Sequence, residues 1–211
     1  MLKFFGKCSI IVWKVDLRGK EMTAEHLGKI FSNIPTMATE RLVMRDMRVG
    51  DCFDMYEYAK NSEVTKYLTW SPHPDLEYTK QYLNSLKYHY EMGMFYDWAL
   101  ILASENKMIG TCGFTRFNLA NNSAEIGYVI NPSFHGKGIA VEAARKVLEF
   151  GFDNLGLNRV EAKYIIGNDP SRRVMEKLGM TFEGVARRSM CVKGVYRDIG
   201  TCAILREEFK F

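Results

Sequence analysis

A strand-like run from Ala124 to Ile130 leads through a glycine-bearing bend, Phe134-His135-Gly136-Lys137-Gly138-Ile139-Ala140, into a helix-like run that ends near Phe152. A second strand-like run begins at Arg159 and alternates, with Val160, Ala162, Tyr164 and Ile166 on one side. Strand, helix and strand in that order form a crossover, and the two strands of a crossover lie parallel. The neighbouring runs obey a different rule. Trp98 to Ala103, Met108 to Phe117 and Ala124 to Ile130 are separated only by short polar turns, so they are expected to be antiparallel neighbours. The tail reads as two further strands, Met190 to Val192 and Ile199 to Leu205, around a Lys193-Gly194 turn. The expected fold class is therefore α/β (α+β), with a mixed, mostly antiparallel central sheet, one parallel pair, and flanking helices.

Those helices are legible from apolar spacing: Phe53 to Ala59, Tyr78 to Tyr90, and Ala140 to Phe152, where Gly156 closes the pattern. Another is expected to follow Asp169, a capping residue type, with Pro170 in its first turn and Leu178-Gly179 at its end. The first 35 residues look like an appendage: a strand-like Cys8 to Leu17, then a helix from Thr23 to Ser32 with Pro35 as punctuation. Residues 36–211 would form the main domain.

The bend itself admits two readings. Glycines at a helix start can leave several backbone N–H groups free to meet one anion, helped by the helix dipole and the charge of Lys137. Equally, Gly136 and Gly138 suit a tight strand-to-helix turn. The spacing matches neither the G-x-G-x-x-G dinucleotide fingerprint nor the Walker loop.

Composition excludes several classes. The 29 basic and 25 acidic residues leave a net charge of +4 without long like-charge runs, so nucleic acid is not the expected partner. The apolar patch Ser9 to Trp13 is too short for a membrane span or a signal core. Five scattered cysteines without a C-x-x-C pair suggest reduced thiols in a cytoplasmic protein, with neither a disulfide framework nor a metal site.

The segment His135 to Ala140 resembles the acyl-CoA loop of the GNAT N-acetyltransferase superfamily, in which Arg or Gln is followed by two residues, Gly, any residue, and Gly or Ala. His135 departs from the pattern at its first position. Three more segments resemble the branch that includes the ribosomal-protein N-terminal (alanine and serine) acetyltransferases. They are Thr39-Glu40-Arg41-Leu42-Val43-Met44-Arg45, then Glu125-Ile126-Gly127-Tyr128-Val129-Ile130, and the stretch from Asn168-Asp169-Pro170-Ser171 to Gly179-Met180. The resemblance spans residues 39 to 205. It implies that the parallel strands splay apart and that pantetheine enters the gap near Val129 and Ile130, while the pyrophosphate meets the amides of His135, Gly136, Lys137, Gly138, Ile139 and Ala140.

The resemblance also implies an activity: transfer of an acetyl group from acetyl-CoA to a primary amine in a ternary complex, without metal or covalent nucleophile. Ser171 is then the candidate donor to the departing sulfur, and Asn168 a candidate to hold the cofactor or Ser171; the plain alternative is that both serve a helix start. Glu125 is the candidate base, or else a strand carboxylate in an ordinary ion pair. His73 is a reserve base or pocket residue, and Trp70, in a Pro-bounded loop, is the best candidate to wall an acceptor pocket. Of the other aromatics, Trp98 and Tyr67 are expected in the core. The acceptor is a protein N-terminus, such as that of a ribosomal protein, or a small amine such as a polyamine or an aminoglycoside. A non-catalytic acyl-CoA-binding module is the other reading. Exposed strand edges are compatible with a homodimer.

Overall fold

A computed structural model describes residues 22–210. The strand read at Cys8 to Leu17 and the patch at Ser9 to Trp13 lie outside the described residues. The described chain forms helix α1 (Ala24–Phe31), strands β1 (Met37–Ala38) and β2 (Leu42–Arg45), and helices α2 (Cys52–Ala59), α3 (Ser62–Thr65) and α4 (Leu76–Glu91). Strands β3 (Asp97–Leu102), β4 (Lys107–Asn118) and β5 (Ser123–Ile130) come next, then α5 (Ile139–Asp153), β6 (Arg159–Ile165), α6 (Asp169–Lys177), β7 (Thr181–Val192) and β8 (Val195–Leu205).

Among the described residues the strands make one sheet of eight in the order β1-β2-β3-β4-β5-β6-β8-β7. Every neighbouring pair is antiparallel except β5 and β6. The crossover through α5 is the reason: a chain returning by a helix re-enters the sheet in the same direction.

The sheet is covered on both faces. Trp98 of β3 meets Phe31 of α1 and Phe150 of α5 edge-on, at ring-centroid distances of 5.6 Å each. Alternation along β3 then turns Asp97 to the opposite face, which α2 and α4 cover. The central strand β4 is buried without interruption from Met108 to Phe114, as a strand covered on both sides must be. Paired small residues, Ala143 and Ala144, let α5 come close to β4 and β5.

Three expectations change, and the packing of the first 35 residues, which the sequence leaves open, is visible for their described part. The described part of the first 35 residues is built into the core: Leu27, Phe31 and Ile34 are buried, and the Trp98 indole N–H donates to the Pro35 carbonyl at 2.8 Å. The helix after β6 is capped by Asn168, not Asp169; its Oδ1 accepts the Ser171 N–H at 3.4 Å, because Asp169 already has helical geometry. Strand β7 is much longer than the run from Met190, since from Thr181 onward its side chains are mostly exposed and carry no alternation to read. Tyr67 is only half-buried, and it lines a cleft beside β5 and β6 rather than the core. Among the described residues no helix is long and apolar enough to cross a membrane, and no group of three or more His, Cys, Asp or Glu is placed to hold a metal ion.

Candidate functional site

Strands β5 and β6 pair from Ser123 and Arg159 as far as Ile126 and Ala162, and then part. Beyond that point β5 stays bonded to β4 as far as Ile130, and β6 stays bonded to β8 as far as Ile165. Each strand keeps to its outer neighbour and a wedge opens between them. The Asn131 N–H bonds the Ile109 carbonyl at 2.8 Å, so alternation directs the main chain of Val129 to β4 and that of Tyr128 and Ile130 into the wedge. The Val129 carbonyl indeed lies against Gly110, where an added Cβ would come within 2.2 Å of it. Of the two expected main-chain contacts, Ile130 therefore faces the gap and Val129 does not; the Val129 side chain lines the cleft instead. A ring nitrogen of His135, Nε2, lies 2.9 Å from the Ile130 carbonyl oxygen.

The glycine bend sits at the wedge's end. His135, Gly136, Lys137 and Gly138 are exposed, whereas the Ile139 side chain is buried and fixes the helix start. Gly136 and Gly138 have φ of 76° and 77°, and Gly138 is the N-cap of α5. Those left-handed conformations aim successive amides outward, and at Gly136 an added Cβ would meet nothing within 4 Å. The bend is tied to β2. Arg41 donates to the Lys137 carbonyl at 2.8 Å and pairs with Glu142 in the first turn of α5 at 2.6 Å. Burial works against ionisation of Glu142, but the Thr39 hydroxyl and the Arg41 main chain and side chain outweigh it and hold its carboxyl below the usual range. Amides, open space and a helix start suit a diphosphate, so the residues fit the phosphate end of a coenzyme A thioester.

Ser171 opens α6 beside the wedge. The Tyr128 hydroxyl donates to the Ser171 carbonyl at 3.0 Å and also lies 3.0 Å from Ser171 Oγ. Burial pushes the Tyr128 phenol up, so it stays protonated. A protonated phenol next to a serine hydroxyl can carry a proton to a leaving group at the wedge. Asn168 both caps the helix and lines the cleft.

On the α2–α4 face the wedge widens into a cleft of about 450 Å³. Trp70 and His73 both line it, with ring centroids 5.5 Å apart, and His73 also meets Tyr78 and Tyr82. His73 is buried, with Nδ1 2.9 Å from the Thr79 hydroxyl, and burial lowers its pKa, keeping the ring neutral. Glu125 lines the same cleft but its carboxylate accepts from Lys163 at 2.7 Å and Arg116 at 3.1 Å. The ion-pair alternative thus describes its present contacts.

Sequence reasoning missed Tyr128, Asp97, Tyr58 and Tyr82, all of which line the cleft. Only Tyr128 carried a signal, as part of the segment Glu125 to Ile130; the others sit on three elements brought together by the sheet.

Residues 41–181 match the family model described as an acetyltransferase (GNAT) domain. The chain is 34% identical over 177 residues to the uncharacterized N-acetyltransferase p20 of Bacillus licheniformis, covering 82% of this chain and 98% of that one. A crystal structure of an acetyltransferase (GNAT family) from Bacillus anthracis superposes with a TM-score of 0.73 at 34% identity, over 82% of this chain and 99% of that one. The [ribosomal protein uS5]-alanine N-acetyltransferase of Escherichia coli is 25% identical over 176 residues, covering 79% and 90% of the two chains.

Proposed function

The chain belongs to the GNAT acetyltransferase family, and from that premise we propose that it moves an acetyl group from acetyl-CoA to a primary amine by direct transfer in a ternary complex. One observation carries the reading: the β5–β6 pairing ends at Ile126 and Ala162, so the main chain of Tyr128 and Ile130 faces the wedge without a β6 partner, beside a glycine bend. When bound, acetyl-CoA supplies the acyl group as a thioester. The amides from His135 to Ala140 would hold its diphosphate, and Ile130 with Tyr128 its pantetheine.

The remaining roles belong to side chains. Ser171, backed by the Tyr128 hydroxyl, donates a proton toward the leaving sulfur. Asn168 keeps Ser171 at the helix start. Glu125, reached through the cleft, accepts the amine's proton once Lys163 and Arg116 yield a lone pair or a water relays it. Trp70 and His73 wall the acceptor. Because orientation can contribute about 7–11 kcal/mol and one proton-transfer group about 3–5 kcal/mol, positioning in the wedge outweighs either acid or base.

As acceptor we favour a protein N-terminal α-amine, such as that of a ribosomal protein, supported by the uS5-alanine relative. A small-molecule amine is the second reading, favoured by the buried aromatic end of the cleft. The test is thiol release from acetyl-CoA with a panel of N-terminal peptides, polyamines and aminoglycosides. Release with none of them rejects the proposal, and the amine with the highest kcat/KM decides between the acceptors.

A further inference from the structure

The α2–α4 face of the cleft ends in a polar pair that the proposed acetyl transfer does not use. Asp97 begins β3, and its Oδ1 is enclosed with no described residue donating to it. The Tyr58 hydroxyl lines the same cleft, 1% exposed as a residue, and is likewise without a hydrogen-bond partner among the described residues. Two buried polar groups left unsatisfied on one wall are costly unless something else bonds them.

The register shows where that wall points. Asp97 is paired with Gly113 on β4, and Gly113 with Gly127 on β5, one residue past the last β5–β6 pair. Neither partner has a side chain to block the row, and the Thr115 methyl, 2.9 Å from where a Gly127 Cβ would stand, borders it at the wedge end. Asp97 Oδ1 in fact rests over Gly113, 2.8 Å from where a Cβ would stand. One strand spacing, about 5 Å, then separates it from Gly127, the reach of one bridging water or a short alkyl step.

Charge selects the ligand. Among the described residues Asp97 has no ion-pair partner, while Glu125 and Lys163, the other ionised groups of the lining, offset one another. His73 is kept neutral by burial. With Asp97 ionised the cleft is negative within a chain of net charge +4, and Trp70, Tyr78 and Tyr82 are among its lining residues. A carboxylate among aromatic faces is the chemistry that recognises an alkylammonium.

Resting on the proposed amine acetylation, we infer that Asp97 anchors a protonated amino group of the acceptor at the Tyr58 end of the cleft. It is a specificity-determining residue for cationic acceptors, with the Tyr58 hydroxyl as its companion.

The test compares a cation with a neutral molecule of the same shape. n-Butylamine and 1-butanol are titrated by NMR at pH 8 into the full chain loaded with coenzyme A, using wild type and Asp97→Asn. The wild type is expected to prefer the cation by at least about tenfold, and Asp97→Asn to lose that preference while still binding coenzyme A. A wild type without the preference, or a variant that retains it, overturns the anchor. Should Asp97→Asn not fold, Asp97→Thr, neutral and suited to a strand, takes its place with the same two outcomes. Thiol release is measured in parallel. Release by the wild type with an unaltered cation preference in the variant removes the anchor and leaves acetylation standing. No release from any amine, with the preference intact in the wild type and lost in the variant, removes the acetylation reading while the anchor survives as a cation site.

Discussion

Ser171 and Tyr128 meet at 3.0 Å where the two parallel strands part, and neither hydroxyl has another described side-chain partner. If this pair protonates the leaving group, Ser171→Ala lowers turnover by about 10²-fold with acetyl-CoA affinity unchanged. Tyr128→Phe, which removes only the support, lowers it by about tenfold. Single-turnover kinetics with calorimetric acetyl-CoA binding checks both, and unchanged turnover of Ser171→Ala under chemistry-limited conditions excludes it from the mechanism. Gly138 makes a different demand. Its φ of 77° is strained for any branched side chain, so Gly138→Val moves the amides it aims, and acetyl-CoA should bind about tenfold more weakly or worse by calorimetry. Asp97 carries a stability cost. Burial pushes its carboxyl up to about 7 from an ordinary 3.8, against the opposing pull of the Thr111 hydroxyl and the Trp98 N–H. The unfolded chain therefore releases this proton first, and stability falls as pH rises from about 4 to 7. Tyr58, Tyr82, Tyr90 and Cys112, which feel the Asp97 charge, are pushed up by burial and stay neutral throughout. Asp97→Asn should accordingly unfold at a higher temperature than wild type at pH 8, with the difference shrinking at pH 4. Equal melting at both pH values would mean that the carboxyl is not destabilising.

At the scale of elements, the glycine bend is held by a strand far away in sequence. Arg41 reaches from the approach to β2 to the Lys137 carbonyl and to Glu142, so the N-terminal edge of the sheet braces the start of α5. Arg41 is partly exposed, and the pair's direct contribution to global stability is about 1 kcal/mol or less. Its local effect is larger. Arg41→Ala should accelerate amide hydrogen exchange across residues 136–140 and weaken acetyl-CoA binding several-fold, while the melting temperature shifts little. Exchange identical to wild type would show that the bend holds itself. The bend, the strand before it and the helix after it were all readable from glycine placement and apolar spacing, because those signals are local. The brace was not. Arg41 and Glu142 are 101 residues apart, and only the order of strands in the sheet brings them together.

For the whole molecule, the question is which residues share the core. Phe31 is fully buried against Tyr96, Trp98, Phe114 and Phe150, so α1 folds with the sheet rather than beside it. Phe31→Ala should destabilise the protein by about 3–5 kcal/mol in urea unfolding, in a single transition. A loss below about 1 kcal/mol would make α1 peripheral. The sequence alone determined the crossover, the parallel pair, the hairpins and the glycine bend, since each depends on periodicity and turn chemistry within a few dozen residues. It also presented Ser171, Asn168, Glu125, Trp70 and His73 as candidates, and the folded chain gathers all five around one cleft. Only the tertiary structure decided which main-chain groups face the wedge, that Glu125 is ion-paired, and that Asp97 Oδ1 and the Tyr58 hydroxyl end the cleft without hydrogen-bond partners among the described residues. Those facts arise from strand register and side-chain direction across the sheet. A shift of one residue in pairing would reverse every one of them without altering the local pattern from which the strands were read.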